Sequence, residues 1–143
     1  VKETRELICI ACPSGCRLKA TIEDGKVTEV DGNTCRKGEE YAAHECINPT
    51  RILTTTVRIN GGTLPVLPVK SERALPKSMI KKSMEELGRV RASAPVNIGD
   101  VIVKNISGTG IDIISTRSIK KDPGSAEKPR RKILAGRDLS YKV

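Results

Sequence analysis

Cys9, Cys12, Cys16 and Cys35 follow the spacing C-x2-C-x3-C-x18-C, Cys46 comes soon after, and no cysteine lies beyond it. Three close thiolates and one distant thiolate make a tetrahedral set, which both zinc and iron–sulfur clusters accept. Structural zinc sites usually pair two short knuckles. Here the second half is a lone Cys35, and three ligands from one loop plus one distant ligand is the habit of a cubane [4Fe-4S] cluster. The expected metal ligands are therefore Cys9, Cys12, Cys16 and Cys35, holding a [4Fe-4S] cluster, with zinc as the alternative. The x2–x3 order differs from the x2–x2 run of bacterial ferredoxins and reverses the x3–x2 order of radical-SAM loops, which disfavours that enzyme class. Gly15 and Gly38 stand where backbone can approach a cluster closely and offer N–H···S hydrogen bonds, which raise its potential. Arg17 and Arg36 act in the same sense through charge.

The remaining reactive residues read more plainly. Cys46 falls on a predicted helix, four residues after Ala42, as a buried apolar position. His44 is the only histidine and reads as a surface residue. No serine or cysteine nucleophile can be paired with a base other than His44, so a hydrolytic triad is unsupported. Gly108-Thr109-Gly110 is too short for a dinucleotide fingerprint and reads as a turn. The basic run Lys128–Lys132 resembles a nucleic-acid patch, but it has no neighbouring aromatics for base stacking.

The elements that must position the thiols can be read from periodicity. Residues 5–11 read as a short strand leading into the turn-rich loop Cys12-Pro13-Ser14-Gly15-Cys16. Residues 17–23 alternate, with Leu18, Ala20 and Ile22 on one face. Asp24-Gly25 is a strong hairpin signal, and 26–30 returns. A hairpin at 17–30 brings the chain back to where it began, which is what Cys35 requires, and Asp31-Gly32-Asn33 turns towards it. A helix is expected from Gly38 to about Ile47, its acids Glu39 and Glu40 suiting a helix N-terminus and Asn48-Pro49 stopping it. Residues 51–60 read as a strand, and 63–70 as a second, confined to a sheet edge by Pro65 and Pro68. Residues 76–90 read as an amphipathic helix with Met79, Ile80, Ser83, Met84 and Leu87 on its packing stripe. Residues 94–119 read as two or three strands.

Composition bounds the class. Among 143 residues there is no Trp, no Phe and only two Tyr, so any core is aliphatic and small β-rich units are favoured over a large enzyme. The net charge is +9. Residues 120–143 carry eight of the Lys and Arg against three acids, which makes the basic character partly a tail property. The expected class is α+β: a small β-rich metal-binding module at 1–50, a small α+β module at 51–119, and a flexible basic tail at 120–143. No apolar run reaches the ~18 residues of a membrane helix, the start carries no signal-peptide pattern, and clustered cysteines suit a reducing compartment. The expectation is a cytoplasmic protein with no membrane insertion.

Cys9-x2-Cys12-x3-Cys16 followed by Cys35-Arg36-Lys37-Gly38 resembles the N-terminal iron–sulfur domain of molybdopterin oxidoreductases, which shows C-x2-C-x3-C and then C-x-K-G. Asn48-Pro49-Thr50-Arg51-Ile52-Leu53 resembles the segment in which an Arg-Leu pair of that family begins a strand. The likeness covers residues 7–70, its last cysteine gap is shorter than usual there, and the large domains that hold the molybdenum cofactor are absent. Over 7–119 the chain resembles a small uncharacterised four-cysteine family of bacteria and archaea, through Cys12-Pro13-Ser14-Gly15-Cys16, Asn48-Pro49-Thr50-Arg51, Ile98-Gly99-Asp100 and Gly108-Thr109-Gly110. Members of that family are often encoded beside flavoproteins similar to anaerobic glycerol-3-phosphate dehydrogenase. The resemblance implies a non-catalytic electron-transfer subunit with a flavoprotein dehydrogenase partner. It also implies that Lys37 lies between the cluster and the partner's redox centre.

Overall fold

A computed structural model describes residues 1–124; of the basic tail expected over 120–143, the part from 125 onward lies outside the described residues. The protein is mixed α+β, rich in strands, with two short helices. Strands β1 (Lys2–Ile8), β2 (Arg17–Glu23) and β3 (Lys26–Asp31) form an antiparallel sheet in the order β1-β2-β3. Asp24 (φ 51°) and Gly25 (φ 76°) both have positive φ, the backbone of the tight hairpin turn whose twist matches the flanking strands. β2 buries Leu18, Ala20 and Ile22. β1 exposes six of its seven residues; it is an edge strand, and charged side chains such as Lys2, Arg5 and Glu6 discourage pairing with another chain.

Helix α1 (Arg36–Ile47) packs over β2 and β3. It contributes Ala42 and Cys46 to a small cluster with Cys9, Leu18, Ala20 and Ile22, flanked by Leu7, Val27, Val30 and Tyr41. Gly38 is also buried, because a Cβ there would meet Asn33 Cβ at 2.9 Å and Leu18 Cδ2 at 3.6 Å.

The second core is larger. Two-residue strands β4 (Thr50–Arg51) and β7 (Leu75–Pro76) pair with each other. A five-stranded sheet has the order β8-β5-β6-β10-β9, from β5 (Thr54–Asn60), β6 (Val66–Ser71), β8 (Arg91–Ser93), β9 (Val101–Val103) and β10 (Ile113–Ser115). All its pairings are antiparallel except β5 with β8. Helix α2 (Ile80–Arg89) lies in the crossover that this parallel pair requires. Leu53, Val57, Leu67, Val69, Leu75, Leu87, Ile106 and Ile113 lead the cluster beneath it. Glu86 of α2 accepts the amide and hydroxyl of Ser107 at 3.0 and 2.9 Å, tying the helix to the loop before β10.

Two expectations about packing in this sheet and helix change. β6 is a central strand, not an edge, despite Pro68. Ile59 N–H bonds Pro65 O, and counting along the β5–β6 register puts Pro68 at a position that exchanges no bond with β5. On its other side the ladder to β10 ends at Ser115–Val69, and Thr116 N–H bonds Pro68 O at 3.0 Å. Facing β5 its missing donor is therefore not needed, while facing Thr116 it leaves the return bond of that pair unmade, and the β10 ladder ends there. Met84, placed on the packing stripe of α2, is 41% exposed, whereas Ser83 and Leu87 turn inward.

Residues 48–53 strap the cores together. Arg51 donates to both Glu45 carboxylate oxygens, at 2.5 and 2.9 Å, and Lys77 N–H bonds Pro49 O. Leu53 and Ser71 exchange bonds at 2.9 Å (Leu53 N–H to Ser71 Oγ) and 2.8 Å (Ser71 N–H to Leu53 O). No helix among the described residues is long and apolar enough to cross a membrane.

The fold sets two expectations. Leu67→Ala, at a fully buried position, lowers the unfolding free energy by about 2–5 kcal/mol, while Val66→Ala on the exposed face costs about 0.5 kcal/mol or less; urea titration reads both as midpoint shifts. The Arg51 guanidinium holds the Glu45 carboxyl below the usual glutamate range, chiefly through its hydrogen bond. A lowered folded-state pKa gives stability that is full above the ordinary glutamate value and is lost as pH falls through the lowered one. The melting-temperature advantage of the wild type over Glu45→Gln should therefore be present at neutral pH and vanish on acidification through that window.

Candidate metal centre

Register places the cysteines. Ile8 of β1 pairs with Arg17 of β2, and Lys19 of β2 pairs with Asp31 of β3. The end of β1, the start of β2 and the end of β3 therefore lie at one end of the three-stranded sheet. Cys9 directly follows β1 and Cys16 directly precedes β2, and Cys9 N–H bonds Cys16 O at 2.9 Å, closing the loop that carries Cys12. Gly15 supplies the positive φ of 58° in that loop.

Gly32 delivers Cys35. Its φ is +83°, and a Cβ there would lie 2.1 Å from Arg17 O. Only a residue without a side chain lets the chain cross so close to the start of β2. Cys35 then becomes the N-cap of α1, in extended conformation and with no capping bond from its thiol. Its carbonyl accepts Gly38 N–H at 3.0 Å and Asn33 Nδ2 at 3.3 Å. The thiol is left at a helix N-terminus, where the macrodipole favours negative charge.

Cys9 is buried, Cys16 half-buried, and Cys12 and Cys35 exposed. Cys16 Sγ lies 3.2 Å from Thr34 Oγ1. Hydrogen bonds from Thr34 push the Cys16 thiol pKa down. Those from Ser14, with a smaller contribution from the Lys37 charge, do the same for Cys12. Both shifts favour the thiolate, the form that binds metal. Lys37 is exposed on the first turn of α1. Arg36 pairs with Glu40 at 3.1 Å along the helix, and Arg17 is exposed beside Ile8.

Gly38 acts differently from the sequence expectation: its amide is given to the Cys35 carbonyl, and its missing side chain makes room for Asn33 and Leu18. Cys46 is buried in the small core, where burial pushes its thiol up, and His44 is exposed. Sequence alone does not single out Thr34 or Ser14. The signal available was position alone, a hydroxyl residue adjoining one cysteine and another inside the cysteine loop.

Among the described residues, no group of three or more His, Cys, Asp or Glu side chains is gathered closely enough to hold a metal ion. The backbone brings the four cysteines to one end of the sheet, and their sulfurs stop short of a shared centre. In donor chemistry the set fits a cubane cluster or zinc: four soft thiols, two of them biased towards thiolate by neighbouring hydroxyls.

Fold and site together define a small α+β protein with a four-cysteine end built on a hairpin sheet. Residues 36–117 match the family described as Protein of unknown function (DUF1667), and the chain belongs to that family. The matched stretch starts just past Cys35 and includes Lys37, Gly38, α1 and the five-stranded sheet. No curated protein matches the chain. The NMR structure of Clostridium perfringens protein CPE0013 is similar at 32% identity, covering 57% of this chain and 93% of that chain, with a TM-score of 0.48.

Gly32→Ala should destabilise the protein by clearly more than Gly25→Ala. Both glycines have positive φ, and a side chain at either costs about 1–2 kcal/mol, but a Cβ at Gly25 meets nothing within 4 Å while one at Gly32 strikes backbone. Melting of the two variants side by side measures the difference; equal losses would remove the role given to the Gly32 crossing.

Proposed function

We propose that the protein is the iron–sulfur electron-transfer subunit of a flavin-dependent oxidoreductase complex, with Cys9, Cys12, Cys16 and Cys35 as ligands of one [4Fe-4S] cluster. The observation that carries this is the delivery of a distant fourth cysteine, by hairpin and Gly32 crossing, to the sheet end where C-x2-C-x3-C already lies. When bound, such a cluster accepts and releases single electrons. The chain's own residues do the rest. The Cys9–Cys16 backbone bond holds two ligands in register. The start of α1 presents Cys35. Ser14 and Thr34 supply hydroxyls to sulfur, and Lys37 places a cation beside the centre, on the route to a partner's redox group.

What supports a flavoprotein partner is the resemblance of residues 7–119 to the four-cysteine family encoded beside such enzymes, and the resemblance of Cys35-Arg36-Lys37-Gly38 to the C-x-K-G signature implies that Lys37 lies between the two redox centres. Ile8 and Ile10, 52% and 73% exposed on either side of Cys9, give this end an apolar rim of the kind a docking protein covers.

Purified without oxygen, the protein should be brown, carry about four irons and four sulfides per chain, and bleach in part on dithionite reduction. Serine at any one of the four ligand positions should strip or destabilise the cluster, while Cys46→Ala should keep iron content unchanged. A colourless protein that retains zinc under the same conditions would establish the zinc-stabilised binding module instead.

A further inference from the structure

We infer that Thr34 is a positioning residue that raises the reduction potential of the four-cysteine centre, by donating its hydroxyl to the Cys16 sulfur. The inference rests on the iron–sulfur reading above. Thr34 Oγ1 and Cys16 Sγ are 3.2 Å apart. In the free thiol either atom can carry the shared proton. A sulfur bound to iron has no proton and only acceptor lone pairs, so the hydroxyl must then be the donor.

Three features hold the hydroxyl in place. Thr34 stands between Gly32, fixed against the Arg17 carbonyl, and Cys35, fixed by Gly38 N–H and Asn33 Nδ2 on its carbonyl. Its β-branched side chain is stiff at χ1. And the bond links residues 18 apart in sequence, joining the close three-cysteine loop to the arm that brings the fourth. Thr34 is exposed, as are the cations Arg17, Arg36 and Lys37, but those are long, Arg36 is engaged with Glu40, and solvent screens their charge. A hydroxyl aimed at one sulfur is directional and short-ranged.

One-electron reduction adds negative charge that is shared between iron and sulfur. The Thr34 hydrogen bond strengthens as the Cys16 sulfur becomes more negative, so it stabilises the reduced state more than the oxidised one. No proton is transferred and no bond is broken. The result is a higher potential than the same ligands would give alone.

Thr34→Val keeps the shape and removes the donor; Thr34→Ser keeps the donor. In anaerobically purified protein, redox titration followed by absorption and electron paramagnetic resonance should show Thr34→Val reducing with an equilibrium constant about tenfold lower, about 59 mV more negative for one electron. Thr34→Ser should return close to wild type, and iron content should be equal in all three. A purely structural role would change iron retention or melting temperature and leave the potential of intact clusters alone. Thr34→Val with full iron and wild-type potential overturns the inference and leaves the proposed function standing; wild-type protein that binds no iron overturns both. If Thr34→Val does not retain iron, the Fe–S(Cys) resonance Raman bands of wild type and Thr34→Ser decide: they must shift in D2O, and unshifted bands overturn the inference.

Discussion

Where the chain leaves β3 it crosses the start of β2 so closely that a Cβ at Gly32 would sit 2.1 Å from the Arg17 carbonyl oxygen. That crossing determines two things at once. It aims Asn33, Thr34 and Cys35 at the end of the sheet where Cys9 and Cys16 stand, and it sets the start of α1, so that Gly38 and Ala42 can lie on Leu18 and Ala20. A chain that turned wider would carry Cys35 away from its companions and lift the helix off the only apolar face the hairpin has. Site and small core are therefore not separate requirements on this sequence. The packing that folds the first fifty residues also brings the thiols to one end.

That small core is thin. Its buried members are Cys9, Leu18, Ala20, Ile22, Ala42 and Cys46, two of them alanines and two cysteines. Small units bury too little apolar surface to be robust alone, and the strap over 48–53 couples this one to the better-filled cluster beneath the five-stranded sheet. The Arg51–Glu45 pair joins the last turn of α1 to β4, and β4 is itself held by β7. On the proposed reading, a cluster gripped by four cysteines would add a covalent tie across the hairpin end, where the apolar contribution is smallest.

The hairpin at 17–30 could be read from sequence because its signals are local: alternation in β2, two positive-φ residues at Asp24-Gly25, and alternation resuming. The first helix was legible for similar reasons, although it begins at Arg36 rather than Gly38, since Gly38 serves packing and not the start. What sequence did not reveal was non-local. β1 runs Lys2–Ile8, earlier than the 5–11 expected, because its charged residues owe their strand form to pairing with β2 and carry no apolar period. Pro68 looked like an edge residue because nothing nearby says that the β10 side will end at it, with one bond received from Thr116 and none returned. For the site, residue type and spacing pointed to the four cysteines, and the turn residues pointed to the return of Cys35. Thr34 needed coordinates: a threonine beside a cysteine is common, and its hydroxyl acquires meaning only from a sulfur 18 residues away.

The four thiols are not equally constrained, and on the proposed reading the differences rank which of them is freest to move towards a shared centre. Cys9 is buried and tied through its amide to the Cys16 carbonyl. Cys16 has its sulfur held by Thr34. Cys35 has its carbonyl bonded into the first turn of α1, while its exposed thiol makes no capping bond and can change rotamer without disturbing the helix. Cys12 alone sits away from any strand or helix, in a loop pinned only at its base. On that reading Cys35, whose thiol is exposed and uncapped, and Cys12, in its loop, are the two freest to approach a shared centre.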